Sequence, residues 1–314
     1  MNIFCRDFKD VTAEERARLE RCFRGVDHRG AGYTFLAYYV WRDCYLMNWE
    51  FIDGYLCVAG DSLETGGADA TMAFPLPESG VYEPEKLRAV ILECRRRFEE
   101  AGVPFRIVSI PAHFLCILEE AFPEGLETYH NLDYDEYVYA KDKLIDLSGR
   151  ALHKKKNHLN FFLRNYEYEA VPLTRADKPE VLALTTEIKT VKEEDPEEVF
   201  SLESEYAAIS RLMDLVEDPH IYSVGIRIGG RLQAFALGER LNATTAVEHF
   251  EKANDDYRGL YQMVCRAFCE GLPEEIVFVN REEDMGLPNL RQAKEALKPD
   301  HMEIRYMALF SEGK

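Results

Sequence analysis

The chain has 314 residues, with 38 Lys and Arg against 57 Asp and Glu, so its formal charge is −19 at pH 7. That balance argues against a broad nucleic-acid or anionic-membrane binder, which needs a positive field, but leaves room for one local basic site. At 46% hydrophobic and 12% aromatic, the sequence has ample material for a packed core, and its length fits two domains or one large one.

The opening Met1-Asn2-Ile3-Phe4-Cys5-Arg6-Asp7 has no basic lead into a long apolar run, so no secretory signal is expected. A helix pattern runs from Ala13 to Phe23, with Thr12 and Glu15 at capping-box spacing. The longest apolar run, Phe35 to Trp41, stops at Arg42-Asp43, far short of the ~20 residues of a membrane span. A soluble, cytoplasmic protein is therefore expected. Phe51 to Val58 reads as a strand bent at Gly54, and Thr71 to Leu76 as another. Pro84 to Ala101 reads as a helix, with Pro near its start and Gly102 past its end. A strand at Phe105–Ile110, a short helix to Phe122, and strand-like segments near Thr128 and Tyr137–Tyr139 complete the first half.

The second half opens with a helix from Leu152 to Tyr166 and a strand-like stretch to Val171. Helices follow at Lys178–Val191 and Leu202–Val216, flanking the acidic run Glu193–Glu198, which reads as a solvated turn. Ile221–Ile228 and Arg231–Gly238 alternate around Gly229-Gly230, a strong hairpin signal. Then come a strand at Thr244–Glu251, a helix at Leu260–Cys269, a strand at Ile276–Asn280, a helix at Leu287–Leu297 and a strand at Glu303–Phe310. The pattern predicts an α/β protein of two similar halves, residues 1–140 and 141–314. Cys5, Cys22, Cys44, Cys57, Cys94, Cys116, Cys265 and Cys269 contain no C-x-x-C pair and read as reduced thiols. Cys265 and Cys269 share a helical face and read as core rather than as a metal half-site, so no metal is expected.

Residues 149–166, GRALHKKKNHLNFFLRNY, carry Arg150, Lys154, Lys155, Lys156 and Arg164 and no acid. On a helix, Leu152, Leu159, Phe162, Leu163 and Tyr166 share one face, flanked by Lys155 and Lys156. Lys154, Asn157, His158, Phe161, Arg164 and Asn165 lie opposite. Cations, amides and a ring on one face suit a phosphate-bearing ligand with a stackable base. An ordinary amphipathic helix with solvated charges is the alternative.

The segment Glu251-Lys252-Ala253-Asn254-Asp255-Asp256-Tyr257-Arg258-Gly259-Leu260-Tyr261-Gln262 runs from a strand end through a tight turn into a helix start, which offers free N–H donors. Acetyltransferases of the GNAT type hold the coenzyme A pyrophosphate at such an element. Here Asp256 would repel the pyrophosphate and Tyr261 would block close backbone approach, so the loop is GNAT-like in form but unsuited to acetyl-CoA. The second polar cluster, Asn280-Arg281-Glu282-Glu283-Asp284-Met285-Gly286, falls at a strand's carboxyl end, where open α/β sheets place ligands. A carboxylate there could take a proton from an amine or hydroxyl. A surface turn with local ion pairs is the alternative.

Together the basic helix, Glu251-Lys252-Ala253 with Tyr257-Arg258-Gly259 and Gln262, the 280–286 cluster, Leu290-Arg291-x-x-Lys294, and Thr34-Phe35 with Tyr39-x-Trp41-Arg42 resemble the soluble C-terminal domain of phosphatidylglycerol lysyltransferases. The free-standing bacterial members of that family are the nearer likeness. The resemblance implies two tandem GNAT-like domains, each a mixed sheet flanked by helices, similar in plan to Fem-type aminoacyltransferases. It implies transfer of an aminoacyl group from aminoacyl-tRNA to an amine or hydroxyl acceptor. Lys154, Lys155, Lys156, Asn157, Phe161 and Arg164, with Gly259, Gln262, Asn280 and Asp284, would bind substrate. Glu251 or Glu282 would assist proton removal, and Lys252 or Arg281 would stabilise the oxyanion. Partners would be the aminoacyl-tRNA 3′ end or another phosphate-bearing small molecule, not DNA. The chain shows no membrane-embedded segment like that of the lysyltransferases, and its charge disfavours an anionic bilayer, so a soluble acceptor is as reasonable as a lipid. No cofactor is expected. Acyl-CoA is the alternative donor, and a non-catalytic binding protein on the same fold is the third reading.

Overall fold

The computed structural model describes residues 3–61, 70–192 and 202–310. The acidic run Glu193–Glu198 lies outside them. Two compact units result, one of Met1–Asp135 with Glu303–Lys314, the other of Glu136–Met302.

The first unit holds strands β1 (Arg6–Asp7), β2 (Asn48–Ile52), β3 (Tyr55–Asp61), β4 (Ala70–Ala73), β5 (Leu76–Pro77), β6 (Arg106–Pro111) and β7 (Glu127–His130). Its helices are α1 (Ala13–Gly25), α2 (Phe35–Trp41), α3 (Pro84–Glu100) and α4 (Leu115–Ala121). The second unit holds β8 (Glu136–Ala140), β9 (Glu169–Val171), β10 (Ile221–Ile228), β11 (Arg231–Arg240), β12 (Thr245–Ala253), β13 (Phe278–Asn280) and β14 (His301–Glu303). With them are α5 (Lys141–Asp146), α6 (His153–Asn165), α7 (Lys178–Lys192), α8 (Leu202–Asp214), α9 (Leu260–Glu270) and α10 (Pro288–Glu295). The chain then returns to the first unit as β15 (Arg305–Leu309).

Local signals explain many of these elements. Thr12 Oγ1 accepts the Glu15 N–H at 3.2 Å while Glu15 accepts the Thr12 N–H at 2.9 Å, a closed capping box that starts α1. The apolar run at Phe35 is a short helix capped by Thr34 and buried on most of its surface. The run from Phe51 to Val58 is two strands, not one bent strand. Asp53 and Gly54 have φ of 46° and 78°, the positive values that a two-residue hairpin needs, and β2 pairs antiparallel with β3 from Asn48↔Ala59 to Ile52↔Tyr55.

The first sheet runs β1-β2-β3-β4-β6-β15-β7, with β5 on β3, and the second runs β14-β8-β13-β12-β11-β10-β9. Each contains a parallel pair, β4 with β6 and β12 with β13. The division differs from the sequence-based halves at both ends. β8 pairs with β13 in the second sheet, and β15 inserts between β6 and β7 in the first. Both pairings join residues far apart in the chain, and local periodicity is blind to that.

Each unit buries its own core, around Phe8, Leu19, Leu56, Met72 and Phe98 in the first and around Tyr139, Phe162, Ile226, Val264 and Ile276 in the second. All eight cysteines are free thiols, and Cys265 and Cys269 are buried in the second core. Among the described residues no helix is long and apolar enough to cross a membrane.

Candidate functional site

The parallel pairing of β12 with β13 extends only from Thr245↔Phe278 to Val247↔Asn280. Beyond it the chain after β13 stays with β8, through Arg281 N–H to the Tyr137 carbonyl at 2.9 Å and Tyr137 N–H to the Glu282 carbonyl at 3.1 Å. Glu248 and Arg281 are therefore the first residues past the point where β12 and β13 separate. β12 also bulges against β11. Leu237 faces Phe250 and Gly238 faces Glu248, which leaves His249 as the extra residue. One extra residue reverses the in–out alternation, so Glu248 and Glu251, three apart, point to the same face. Gly238 is required opposite the bulge, because a Cβ there would lie 2.0 Å from the Val247 carbonyl oxygen.

On that face Glu248 and Glu251 oxygens and Cys265 Sγ, from α9, all lie within 4.8 Å of one another. Arg281 pairs with both carboxylates, through Nε to Glu248 and through Nη2 to Glu251 at 2.9 Å. The guanidinium thus supplies the positive charge between the two carboxylates. Burial pushes the Glu248 carboxyl well above the usual range, with Arg281 opposing the shift and Glu251 adding to it. Lys155 of α6 is half-buried in the same field. Burial and the Arg281 charge lower its amine pKa, and Glu251 works against them.

The rest of α6 matches its expected faces with one exception. Leu152, Leu159 and Phe162 are buried and Lys154, Asn157, Arg164 and Asn165 exposed, but Leu163 is 38% exposed. Among the described residues, Arg150, Lys154, Lys155, Lys156 and Arg164 have no ion-pair partner, in a chain with 57 acids. Phe161 is half-buried with the Arg258 guanidinium 4.6 Å above its ring. Arg258, Lys154 and Lys155 add to burial in lowering the His158 pKa, so positive charge converges on this stretch. Gly259 has φ of 91°, and a Cβ on it would lie 2.1 Å from the His158 carbonyl oxygen. Its glycine lets α6 seat against the start of α9, a packing requirement. Gln262, in the first turn of α9, is half-buried.

The structure does not gather the expected pocket residues into one place. Lys252 sits one residue past Glu251, on the opposite strand face, and pairs with Glu205 of α8 at 2.7 Å. Glu282 faces His249 rather than the Glu251–Arg281 pair, at 2.7 Å from Nδ1, while Glu239 lies 3.0 Å from Nε2. Asn280 is buried. It donates to Glu136 at 2.5 Å and accepts the Glu282 N–H at 2.8 Å. Asp284 is fully buried, clasped by Arg291 at 2.7 and 2.6 Å and by the Tyr137 hydroxyl at 2.6 Å. Lys294 donates to the carbonyls of Arg281, Glu282 at 3.0 Å and Glu283 at 2.6 Å. These bonds hold Glu282 in a left-handed conformation with φ of 59° and fix the loop that aims Arg281. Asn280, Glu282 and Asp284 are thus the frame around the charged cluster. Sequence reading passed over Glu248, and it quoted Lys294 in a motif without giving it a role. An acid and a histidine inside the apolar stretch Ala246–Phe250 were the available signal.

Burial opposes charge on His249, but Glu239 and Glu282 outweigh it and lift its pKa from 6.5 to about 10. A raised folded value means stability present in full below about 6.5 and lost as pH rises toward about 10. Urea midpoints should fall across that window in the native protein and fall less in His249→Gln. Equal slopes would refute the clamp.

The first unit has the same parallel pair without the charges. β4 and β6 pair at Met72↔Ile107 and Ala73↔Val108. The Tyr33 hydroxyl then donates to the Ser109 carbonyl at 2.8 Å and accepts the Phe74 N–H at 3.3 Å. Phe74 packs against Tyr82 and Phe114, with ring centres 5.5 and 5.7 Å away. Aromatic rings fill the separation that Glu248, Glu251 and Arg281 occupy in the second unit.

A family model described as "Phosphatidylglycerol lysyltransferase, C-terminal" matches residues 23–309. An uncharacterised protein of Mycoplasmoides gallisepticum is 25% identical over 178 residues, and the match spans about half of each sequence, 54% of this chain and 54% of that relative. Among solved structures, a conserved protein of unknown function from Bacteroides thetaiotaomicron VPI-5482 is similar with a TM-score of 0.85 and 26% identity over 96% of this chain and 98% of that one. L-PGS from Bacillus licheniformis gives 0.63 at 14% identity, covering 97% and 93%, and FemX gives 0.59 at 9%, covering 96% and 96%. These likenesses show the fold, two units that each hold a mixed sheet flanked by helices. With the family model spanning nearly all of it, the chain belongs to the phosphatidylglycerol lysyltransferase C-terminal family.

Proposed function

We propose that the protein moves an aminoacyl group from aminoacyl-tRNA to an amine or hydroxyl acceptor. The observation that carries this reading is the row of cations on α6 without acidic partners among the described residues, beside the Glu248–Glu251–Arg281 cluster. Cations that no described acid pairs with suit an external polyanion, and one patch suits a strand end rather than a long duplex. In this reading Lys154, Lys156, Asn157 and Arg164 take the donor's terminal phosphates, and Phe161 with Arg258 takes its end base. Gly259 and Gln262 flank that place at the start of α9. Glu251 takes the proton of the attacking amine or hydroxyl. Lys155, unlike Lys252 and Arg281, is not tied in an ion pair and faces the developing oxyanion.

The test is transfer of radiolabelled amino acid from charged tRNA to acceptors, with soluble peptides and phosphatidylglycerol vesicles as separate arms. Loss of label from one charged tRNA into a product supports the proposal. No loss from any charged tRNA above a protein-free control overturns it, and stabilisation by acetyl-CoA in its place would favour acyl-CoA as donor. Exchanging Lys154, Lys156 and Arg164 together for Glu should weaken tRNA binding at least a hundredfold without lowering the melting temperature. Unchanged binding would remove α6 from the donor site.

A further inference from the structure

Glu248 belongs to no part of the reaction as drawn so far, and its placement is unusual. Its side chain is 2% exposed, too deep to touch a substrate, whereas Glu251 retains 14%. Arg281 lies against it as an ion pair, yet no N–H is directed at either Glu248 oxygen in hydrogen-bond geometry. Charged or titratable groups reach it from each neighbouring element: Glu251 on β12, Arg281 after β13, Cys265 on α9 and Tyr139 on β8, with Lys155 of α6 acting on Glu251 and Arg281. One guanidinium therefore serves two carboxyl groups that are packed within 4.8 Å of each other and of a thiol. Burial beside a second carboxyl favours the protonated form of Glu248, the deeper of the two.

We infer that Glu248 carries a proton that it shares with Glu251, and that Glu248 is a positioning residue that holds the Glu251 carboxylate in place through that shared hydrogen bond. The inference rests on the aminoacyl-transfer reading for its role, but not for its existence. The proton balance closes. As the acceptor nitrogen bonds to the ester carbon, its proton passes to Glu251, and the pair then holds two. As the carbon–oxygen bond to the ribose breaks, the leaving oxygen takes one proton from Glu251. The pair ends with one, as it began.

The experiment is infrared difference spectroscopy on the intact protein with 13C-labelled glutamate, at pH 7. A protonated buried carboxyl band is expected in the native protein and absent in Glu248→Gln. No such band, or one that survives Glu248→Gln, overturns the inference. Failure of Glu248→Gln to fold also overturns it, because a neutral amide should replace a neutral acid. In the transfer assay, Glu248→Gln should remove the alkaline limb of the pH profile, which a purely structural residue would leave in place. If the band behaves as expected but no charged tRNA is a donor, the shared proton stands and the donor assignment falls.

Discussion

Arg281→Met should destabilise the second unit by about 3–5 kcal/mol, the usual cost of removing one partner from a buried ion cluster. The guanidinium is the cation that pairs with both Glu248 and Glu251, and its side chain is 15% exposed. Methionine fills part of the volume but leaves two carboxyls facing each other and the Cys265 thiol. The sign of the pH dependence follows. Without the guanidinium, burial and mutual repulsion hold both folded-state values above the unfolded value of about 4.3, so the folded variant carries extra protons. Its stability is fullest below that value and declines as pH rises through the folded values. Urea unfolding of native protein and variant at pH 5 and pH 8 checks this. The gap between them should widen at pH 8, and a gap equal at both would show that the carboxyls do not depend on Arg281.

Glu251→Gln should lower the rate of aminoacyl transfer by about 10²–10⁴-fold while leaving charged-tRNA affinity within a few fold. Gln keeps the size of the side chain and can still lie against Arg281, so the fold should survive. What it cannot do is accept a proton. The expected loss is therefore in kcat rather than KM, since the phosphate-binding side chains are on α6. A drop in affinity with unchanged turnover would move Glu251 from proton transfer to donor binding. Equal activity would transfer the base's role to another group.

Much of this arrangement was written in local sequence. The Thr12–Glu15 capping box, the Gly229-Gly230 hairpin and the basic helix are short-range signals, and each appears where its spacing puts it. The Asp53-Gly54 turn was hidden because apolar residues flank it on both sides. Glu251 and Arg281 could be picked out as polar groups at strand ends. That they meet each other, while Lys252 and Glu282 turn away, depends on the bulge at His249. Before the bulge is known, simple alternation puts Glu248 and Glu251 on opposite faces. The frame made by Lys294, Arg291 and Tyr137 joins residues far apart in the chain, and only the folded loop shows that their polar atoms are spent inward.

The place of β15 also bears on how the protein is made. Among the described residues β7 has its sheet bonds to β15 alone, from Tyr306↔His130 to Leu309↔Glu127, and β15 in turn reaches β6. A ribosome finishing residue 130 still has the whole second unit to translate before Arg305 exists. At about 5–20 residues per second, that leaves β7 unpaired for on the order of ten seconds or more. The unit that begins first is thus completed last. During that interval it carries an exposed strand and a missing sheet position, the very features that cotranslational chaperones bind.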